Sequence, residues 1–122
     1  MILADTSVWI DHFRKTDAEL QRRLVAREIA AHPFVVGELA LGPLPNRSRV
    51  LFYLDHLPAV RTAQQQEVRQ MVETHTLHNL GIGLVDAHLL AAALITPGTE
   101  LWTRDTKLRK VAAKLGILCG LA

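Results

Sequence analysis

The sequence predicts a single α/β domain in which helices cover both faces of a parallel sheet. Short apolar runs alternate with helical patterns along the chain, which is typical of parallel strands joined by crossover helices. The first run, 2–4, ends abruptly in Asp5-Thr6-Ser7, as a buried strand does when it delivers a carboxylate to the edge of a sheet. The chain has 122 residues, enough for one domain with a core but short for two. We therefore expect residues 1–122 to form one domain.

The first half of the chain contains two predicted strands and four predicted helices. In order, they are a strand at 2–4, a helix at 8–13, a helix opened by a capping box at 16–19, a weak strand at 28–31, a helix from Pro33 to Gly42 and a helix from Asn46 to Leu57. Pro33 suits a first helical turn and Gly42 an end. Asn46 is a favoured N-cap residue.

The second half continues the alternation of strands and helices. In order, it has a short strand at 59–61, an amphipathic helix at 64–77, a glycine loop at 81–83, a helix at 84–95, a strand at 100–103, a helix at 105–115 and a last strand at 117–119. The helix at 84–95 is apolar nearly all round, which predicts that it is buried.

The composition is that of an ordinary globular protein, with 49% hydrophobic and 21% charged residues. No apolar run approaches the roughly 18 residues needed to span a bilayer, and the N-terminus lacks a signal-peptide pattern. The one cysteine, Cys119, leaves no intramolecular disulfide and no cysteine-based zinc site. We expect a cytoplasmic protein.

The net charge is +2, and the basic residues are grouped. One group lies at 104–114 and another begins at Arg14 and Lys15. A basic exterior around a buried acidic centre would suit a polyanionic substrate. By charge alone, solvated helix faces are the better explanation.

Four carboxylates interrupt apolar segments: Asp5, Glu38, Asp86 and Asp105. An ionised carboxylate is costly to bury unless it is paired or binds a metal, and the apolar segments themselves offer these acids no obvious Lys or Arg partner. Each also has a plainer explanation. Asp5 and Asp105 could cap helices, Asp86 could offset a helix dipole, and Glu38 could face solvent. Taken together, the four predict one shared cation site.

The ligand type predicts the chemistry. Carboxylate sites prefer hard cations such as Mg²⁺ or Mn²⁺, and we interpret the six histidines as structural or surface residues. Such cations serve phosphoryl transfer. No Walker-type phosphate loop or serine nucleophile elbow is present. Hydrolysis of a phosphodiester is the best match.

Four segments resemble the PIN-domain family, and within it the small VapC-type toxins of type II toxin–antitoxin pairs. The matching segments, in the family's order, are Ala4-Asp5-Thr6-Ser7-Val8-Trp9-Ile10-Asp11, Val36-Gly37-Glu38-Leu39-Ala40-Leu41-Gly42, Leu84-Val85-Asp86-Ala87-His88-Leu89-Leu90-Ala91-Ala92 and Leu101-Trp102-Thr103-Arg104-Asp105-Thr106-Lys107-Leu108. Residues 43–80 carry no family motif.

The resemblance implies a three-layer α/β/α sandwich with a central parallel sheet and a Mg²⁺- or Mn²⁺-dependent endoribonuclease that cuts structured RNA such as transfer or ribosomal RNA. It further implies a VapB-like antitoxin as inhibiting partner and a homodimer as the usual assembly. By position, Asp5, Asp86 and Asp105 would be the main metal ligands, and Glu38 would complete the site. Thr103 matches the family's hydroxyl and could hydrogen-bond a carboxylate, as could Thr6 and Ser7, which are also suited to helix capping. Whether one or two metals act stays open.

Residues that flank the acidic edge are candidates to bind the phosphate backbone: Arg14, Lys15, Arg104 and Lys107. Trp9 and Phe13 suit either a dimer or antitoxin contact or the ordinary core. Three other functions share some of these sequence features. A catalytically silent RNA- or partner-binding module stays open, a DNA nuclease is less favoured than an RNA nuclease, and a receiver domain is disfavoured because no lysine ends a late strand.

Overall fold

A three-stranded parallel sheet forms the centre of the structure, a computed structural model that describes residues 1–122. The central strand β1 (Ile2–Ala4) lies between β2 (Ile29–Ala30) and β3 (Glu100–Trp102). Both pairings are parallel, and Ala4 lies opposite Trp102. All three residues of β1 are buried, because each face of a parallel sheet is covered by helices.

The strands predicted at 59–61 and 117–119 are reduced to single parallel bridges. Ala59 bridges Ala31 beside β2, and Leu118 bridges Leu101 in β3. Each bridge has two backbone hydrogen bonds, and the ladder goes no further. Pro58 precedes the first bridge and has no N–H with which to extend the pairing. The prediction of full strands was therefore wrong, although both segments lie where a fourth and a fifth strand would lie.

Seven helices pack around the sheet and complete the predicted α/β sandwich. They are α1 (Thr6–Arg14), α2 (Ala18–Val25), α3 (Pro33–Leu41), α4 (Arg47–Asp55), α5 (Gln65–His75), α6 (Leu84–Ile95) and α7 (Thr106–Lys114). None of them has the length and apolar character that a membrane crossing requires.

Two helix starts differ from their prediction, and a third helix starts as predicted but lacks the expected side-chain cap. The helix predicted at 8–13 begins at Thr6, because Asp5 already caps it. The capping box at 16–19 does not form, since Asp17 is the N-cap of α2 and accepts a hydrogen bond from the backbone N–H of Leu20. Asn46 is the N-cap residue of α4, as predicted, but it lies in the left-handed conformation, with φ at 47°, and its side chain makes no capping hydrogen bond. Local cap signals are thus accurate to about two residues.

The core confirms that α6 is the buried helix. Its residues 87–93 are all buried, whereas Leu84 at its start is 60% exposed. Trp9 and Trp102 are among the largest fully buried side chains. Trp9 is therefore a core residue, whereas Phe13 is only partly buried against the core.

The parallel register decides where the polar residues meet. The backbone N–H of Asp5 donates to the carbonyl of Trp102 at 2.8 Å, so the residues that follow β1 and β3 lie side by side. This edge is the carboxyl end of the sheet, the usual position of ligand sites in open α/β folds.

Candidate active site

Asp5 is held by three hydrogen bonds at the end of β1 and is only 7% exposed. Its Oδ1 accepts from the backbone N–H of Thr6 at 2.7 Å. Its Oδ2 accepts from the hydroxyls of Ser7 at 3.0 Å and Thr103 at 2.7 Å. One carboxylate oxygen of Asp5 therefore caps α1, and the other accepts hydrogen bonds from two hydroxyls that orient the side chain. Such hydrogen bonds to an ionised group are the strong ones, so the carboxylate is fixed in one orientation.

Thr103 connects Asp5 to Asp105. The threonine is fully buried, and its hydroxyl donates to Asp5 while accepting from the backbone N–H of Asp105 at 3.1 Å. Asp105 is exposed and caps α7, since its Oδ1 accepts from the backbone N–H of Leu108 at 2.9 Å. Its Oδ2 carries no hydrogen bond from the protein.

Asp86 lies in the first turn of α6, where its Oδ2 accepts from the backbone N–H of Gly83 at 3.1 Å. Burial raises the pKa of this carboxyl, and the negative charges of Asp5, Asp105 and Glu38 raise it further, against the opposing effect of the Gly83 hydrogen bond. Asp86 is thus close enough to each of the other three acids to be repelled by it. A bound cation would relieve that repulsion.

Glu38 reaches the same edge from α3. Its Oε1 accepts from the hydroxyl of Thr6 at 2.7 Å, and the backbone N–H of Thr6 donates to Asp5. Each of the three hydroxyl residues predicted to serve the site, Thr6, Ser7 and Thr103, therefore donates to one of the acids.

The predicted burial of the four acids was only partly right. Asp5 is buried and Asp86 is half-buried, whereas Glu38 and Asp105 are exposed. Their apolar sequence neighbours, such as Leu39 and Leu108, are turned into the core. The acids line an open edge of the sheet instead of a buried centre.

None of these four carboxylates has a cationic partner in the protein. The five ion pairs of the structure use other acids: Asp11, Asp17, Glu19 and Glu28. The acidic edge therefore keeps its negative charge, which attracts cations from solution.

The donor set fits a hard divalent cation bound partly through water. No three His, Cys, Asp or Glu side chains stand close enough to hold a metal ion by themselves. Mg²⁺ does not require such a cage, since it commonly keeps several waters and takes one or two carboxylates together with substrate phosphate. All four side chains offer only oxygen donors. Their chemistry suits Mg²⁺ or Mn²⁺, and water would complete the coordination.

Arg104 is already engaged by the protein, so it does not fit its predicted role as a phosphate contact. Its Nη1 donates to Asp11 at 2.9 Å and its Nη2 to Asp17 at 2.5 Å. Two carboxylates compensate its charge. A phosphate could contact this guanidinium only by competing with Asp11 and Asp17.

The other three predicted basic residues carry no ion pair and are exposed. Arg14 and Lys15 lie at the end of α1. The Lys107 side chain lies against Gly81, in the loop before α6. Gly81 has a φ of 77°, and the Lys107 Cδ is 2.8 Å from the position that a Cβ on this glycine would occupy. Lys107 thus places a free cation beside the loop that leads to Asp86.

An open groove of about 790 Å³ adjoins Glu38. Its lining is largely apolar: Ile10, Phe13, Leu39, Pro43, Leu44 and Pro45. Arg14 and Arg47 also line it, but Arg47 donates to the backbone carbonyls of Ala40 and Gly42. Arg14 is therefore the free cation of the groove.

Sequence reasoning missed Asp11 and Asp17, which lie 93 and 87 residues from Arg104 along the chain. No local signal joins them to it, because a long-range ion pair follows from the tertiary fold alone. The buried histidine His32 was correctly interpreted as structural. Its Nδ1 accepts from the backbone N–H of Phe34 and caps α3.

Comparison with known proteins agrees with this fold. Residues 2–114 match the family model described as PIN domain. The chain belongs to the PIN-domain family, and the resemblance found in the sequence is confirmed. It is also 42% identical over 117 residues to Ribonuclease VapC32 of Mycobacterium tuberculosis, in both the H37Rv and the CDC 1551 strains. These matches cover 96% of this chain and 94% of the relative, and the family match at 2–114 spans all four acidic segments.

Proposed function

We propose that this protein is a metal-dependent endoribonuclease and the toxin of a VapBC-type toxin–antitoxin pair. The observation that carries the proposal is the meeting of four carboxylates without cationic partners at the carboxyl edge of the sheet. The similarity to Ribonuclease VapC32 supports RNA as the substrate.

In this proposal, Asp5, Asp86 and Asp105 hold the cation, either directly or through water. A divalent cation in such a site lowers the pKa of bound water and stabilises charge on the leaving oxygen of a phosphodiester. Glu38 orients the attacking water. Thr6, Ser7 and Thr103 hold the carboxylates in place, as hydrogen-bond partners of ligands commonly do.

The exposed cations Arg14, Lys15 and Lys107 would hold the RNA backbone. None of them is paired with an acid, so each can contact a phosphate without first breaking an ion pair. Cleavage should therefore weaken as the salt concentration rises. A structured substrate, a transfer or ribosomal RNA, belongs to the proposal, as does action in the cytoplasm, where these RNAs occur.

The groove beside Glu38 is our candidate site for a VapB-like antitoxin. Its apolar lining suits apolar side chains of a peptide better than phosphates, and an occupant would cover the approach to Glu38. The uncompensated acids would attract a basic side chain of the same inhibitor. A homodimer is the assembly that we expect, and light scattering on the purified protein tests it.

The proposal is tested with purified wild-type protein, Asp5→Asn and Asp55→Asn on total cellular RNA. Each is assayed with Mg²⁺, with Mn²⁺ and with EDTA. Asparagine can still accept the capping hydrogen bond of α1, so Asp5→Asn should fold. Asp55, an exposed acid without an ion pair at the end of α4, is the matched control.

We expect discrete fragments from the wild type and from Asp55→Asn that require the metal and are absent with Asp5→Asn. Mapping the fragment ends identifies the RNA and the bond. If folded wild-type protein binds RNA but leaves it intact under every metal condition, a catalytically silent binding module replaces this proposal. Fragments from Asp5→Asn at the wild-type rate would also contradict it.

A further inference from the structure

Arg104 lies between two residues of the candidate active site, Thr103 and Asp105. Its backbone N–H donates to the Ser7 hydroxyl at 3.1 Å, and this hydroxyl donates to Asp5. The backbone of Arg104 therefore already takes part in holding the site.

The side chain of Arg104 connects distant segments around the acidic edge. Its guanidinium donates to Asp11 in α1 and to Asp17, the N-cap of α2. Its Nε donates to the backbone carbonyl of Ala122 at 3.2 Å, and its Cζ lies 5.5 Å from the centre of the Trp102 ring. One planar group thus fixes the turn between β3 and α7 against the first two helices.

These segments carry the proposed metal ligands. Asp5 caps α1 and Asp105 caps α7, so the contact between Arg104 and α1 fixes the distance between the two helix starts. We infer that Arg104 is a positioning residue, which sets the separation of Asp5 and Asp105 and thereby the affinity for the divalent cation. This inference rests on the proposed function for its metal.

Arginine is suited to this role because its fork donates in several fixed directions at once. Burial lowers the pKa of Arg104, but hydrogen bonds and charges from Asp17 and Asp11 outweigh that effect and raise it. The side chain stays charged, with 26% of its surface exposed. Arg104 therefore makes the site rigid, and in the proposed function the phosphates are contacted by Arg14, Lys15 and Lys107.

Three variants separate positioning from RNA contact and from general stability. Arg104→Gln removes the guanidinium and its ion pairs with Asp11 and Asp17. Asp17→Asn removes one of the two carboxylates that pair with Arg104, while asparagine still caps α2. Arg23→Gln is the matched control, because Arg23 also donates to two carboxylates, Glu19 at 2.9 Å and Glu28 at 2.8 Å, away from the acidic edge.

Binding of Mn²⁺ is measured for each variant by electron paramagnetic resonance without RNA, well below each unfolding midpoint. RNA cleavage then gives kcat and KM against Mg²⁺ concentration. We expect Arg104→Gln to bind Mn²⁺ about tenfold or more weakly, with a raised Mg²⁺ requirement and an unchanged KM for RNA. Asp17→Asn should shift in the same direction, and Arg23→Gln should bind Mn²⁺ as the wild type does.

Two results would overturn the inference. A raised KM for RNA with unchanged Mn²⁺ affinity in Arg104→Gln, together with a lowered KM in Asp17→Asn, would make Arg104 an RNA contact. Equal Mn²⁺ affinity in Arg104→Gln and Arg23→Gln would leave it a stabilising ion pair only. Since Mn²⁺ binding is measured without RNA, a wild type that binds the metal but cuts no RNA would refute the proposed function and leave this inference testable.

Discussion

Replacing Thr103 by valine should weaken the fold and the site together. The threonine hydroxyl is fully buried and makes two hydrogen bonds, one to the Asp5 carboxylate at 2.7 Å and one from the backbone N–H of Asp105 at 3.1 Å. Valine keeps the branched shape but makes neither. Asp5 would then lose one of its three donors, and the N–H of Asp105 would lose its acceptor.

The magnitude follows from these two contacts. A hydrogen bond to a charged group contributes about 1.5–3 kcal/mol, and an unsatisfied donor costs about 1–3 kcal/mol where it is buried. Asp5 keeps two donors and Asp105 is exposed, so we expect about 2–3 kcal/mol less stability. For a chain of this size, that lowers Tm by about 10 °C. Loss of ligand orientation should lower kcat by about 10- to 100-fold.

Thermal unfolding in EDTA and RNA cleavage at saturating Mg²⁺ measure the two effects. Thr103→Ser is the control, since it keeps the hydroxyl and loses only a methyl group, at a cost of about 1 kcal/mol. It should retain most of the activity. Wild-type Tm and kcat in Thr103→Val would refute the reasoning, because the hydroxyl would then hold neither acid.

Three further predictions concern charge. Burial, and then its acidic neighbours, raise the pKa of Asp86 above its ordinary 3.8, so the contribution of Asp86 to stability is present below pH 3.8 and is lost as the pH rises through the raised pKa. Asp86→Asn should therefore raise Tm at pH 7 in EDTA and abolish stabilisation by Mg²⁺. A lower Tm in this variant would contradict the prediction. Burial, and then the charge of His88, lower the pKa of His32 from 6.5 to about 4, so the stability that is present above pH 6.5 should fall as the pH drops towards 4. His32→Asn retains a capping side chain, and its stability, measured by urea unfolding, should fall less over this pH range. An unchanged pH profile would exclude His32 as the cause. Lys107→Gln should raise KM for RNA with kcat unchanged and reduce the slope of log KM against log salt by about 0.7. The control variant Lys110→Gln should leave this slope unchanged. Equal slopes in the two variants would show that Lys107 does not contact the RNA.

Much of the site could be predicted because its signals are local. Asp5 and Thr103 each follow an apolar run, and two parallel neighbouring strands must bring such residues to the same edge of the sheet. The register that places Ala4 opposite Trp102 then brings the hydroxyl within reach of the carboxylate.

The remaining features depend on the tertiary structure. Nothing in the segments around Asp11 and Asp17 indicates that they pair with Arg104, because the contact forms only after α1, α2 and β3 have packed. Exposure of Glu38 and Asp105 was missed for a related reason. An apolar segment predicts that its helix is buried, but one polar side chain on that helix can still face an opening at the edge of the sheet.

Helix capping and metal binding are compatible roles for the same aspartate. Asp5 and Asp105 each give one oxygen to the backbone N–H groups of a helix start. The second oxygen of Asp105 accepts no hydrogen bond from the protein, and the capping oxygen of Asp5 accepts only one, so each side chain keeps a lone pair for a cation and the two roles do not compete. Capping fixes the side chain in one orientation before any ligand arrives, which is what an organised site requires. It follows that asparagine, which retains the cap and removes the charge, is the substitution that separates the folding role of these residues from their proposed metal-binding role.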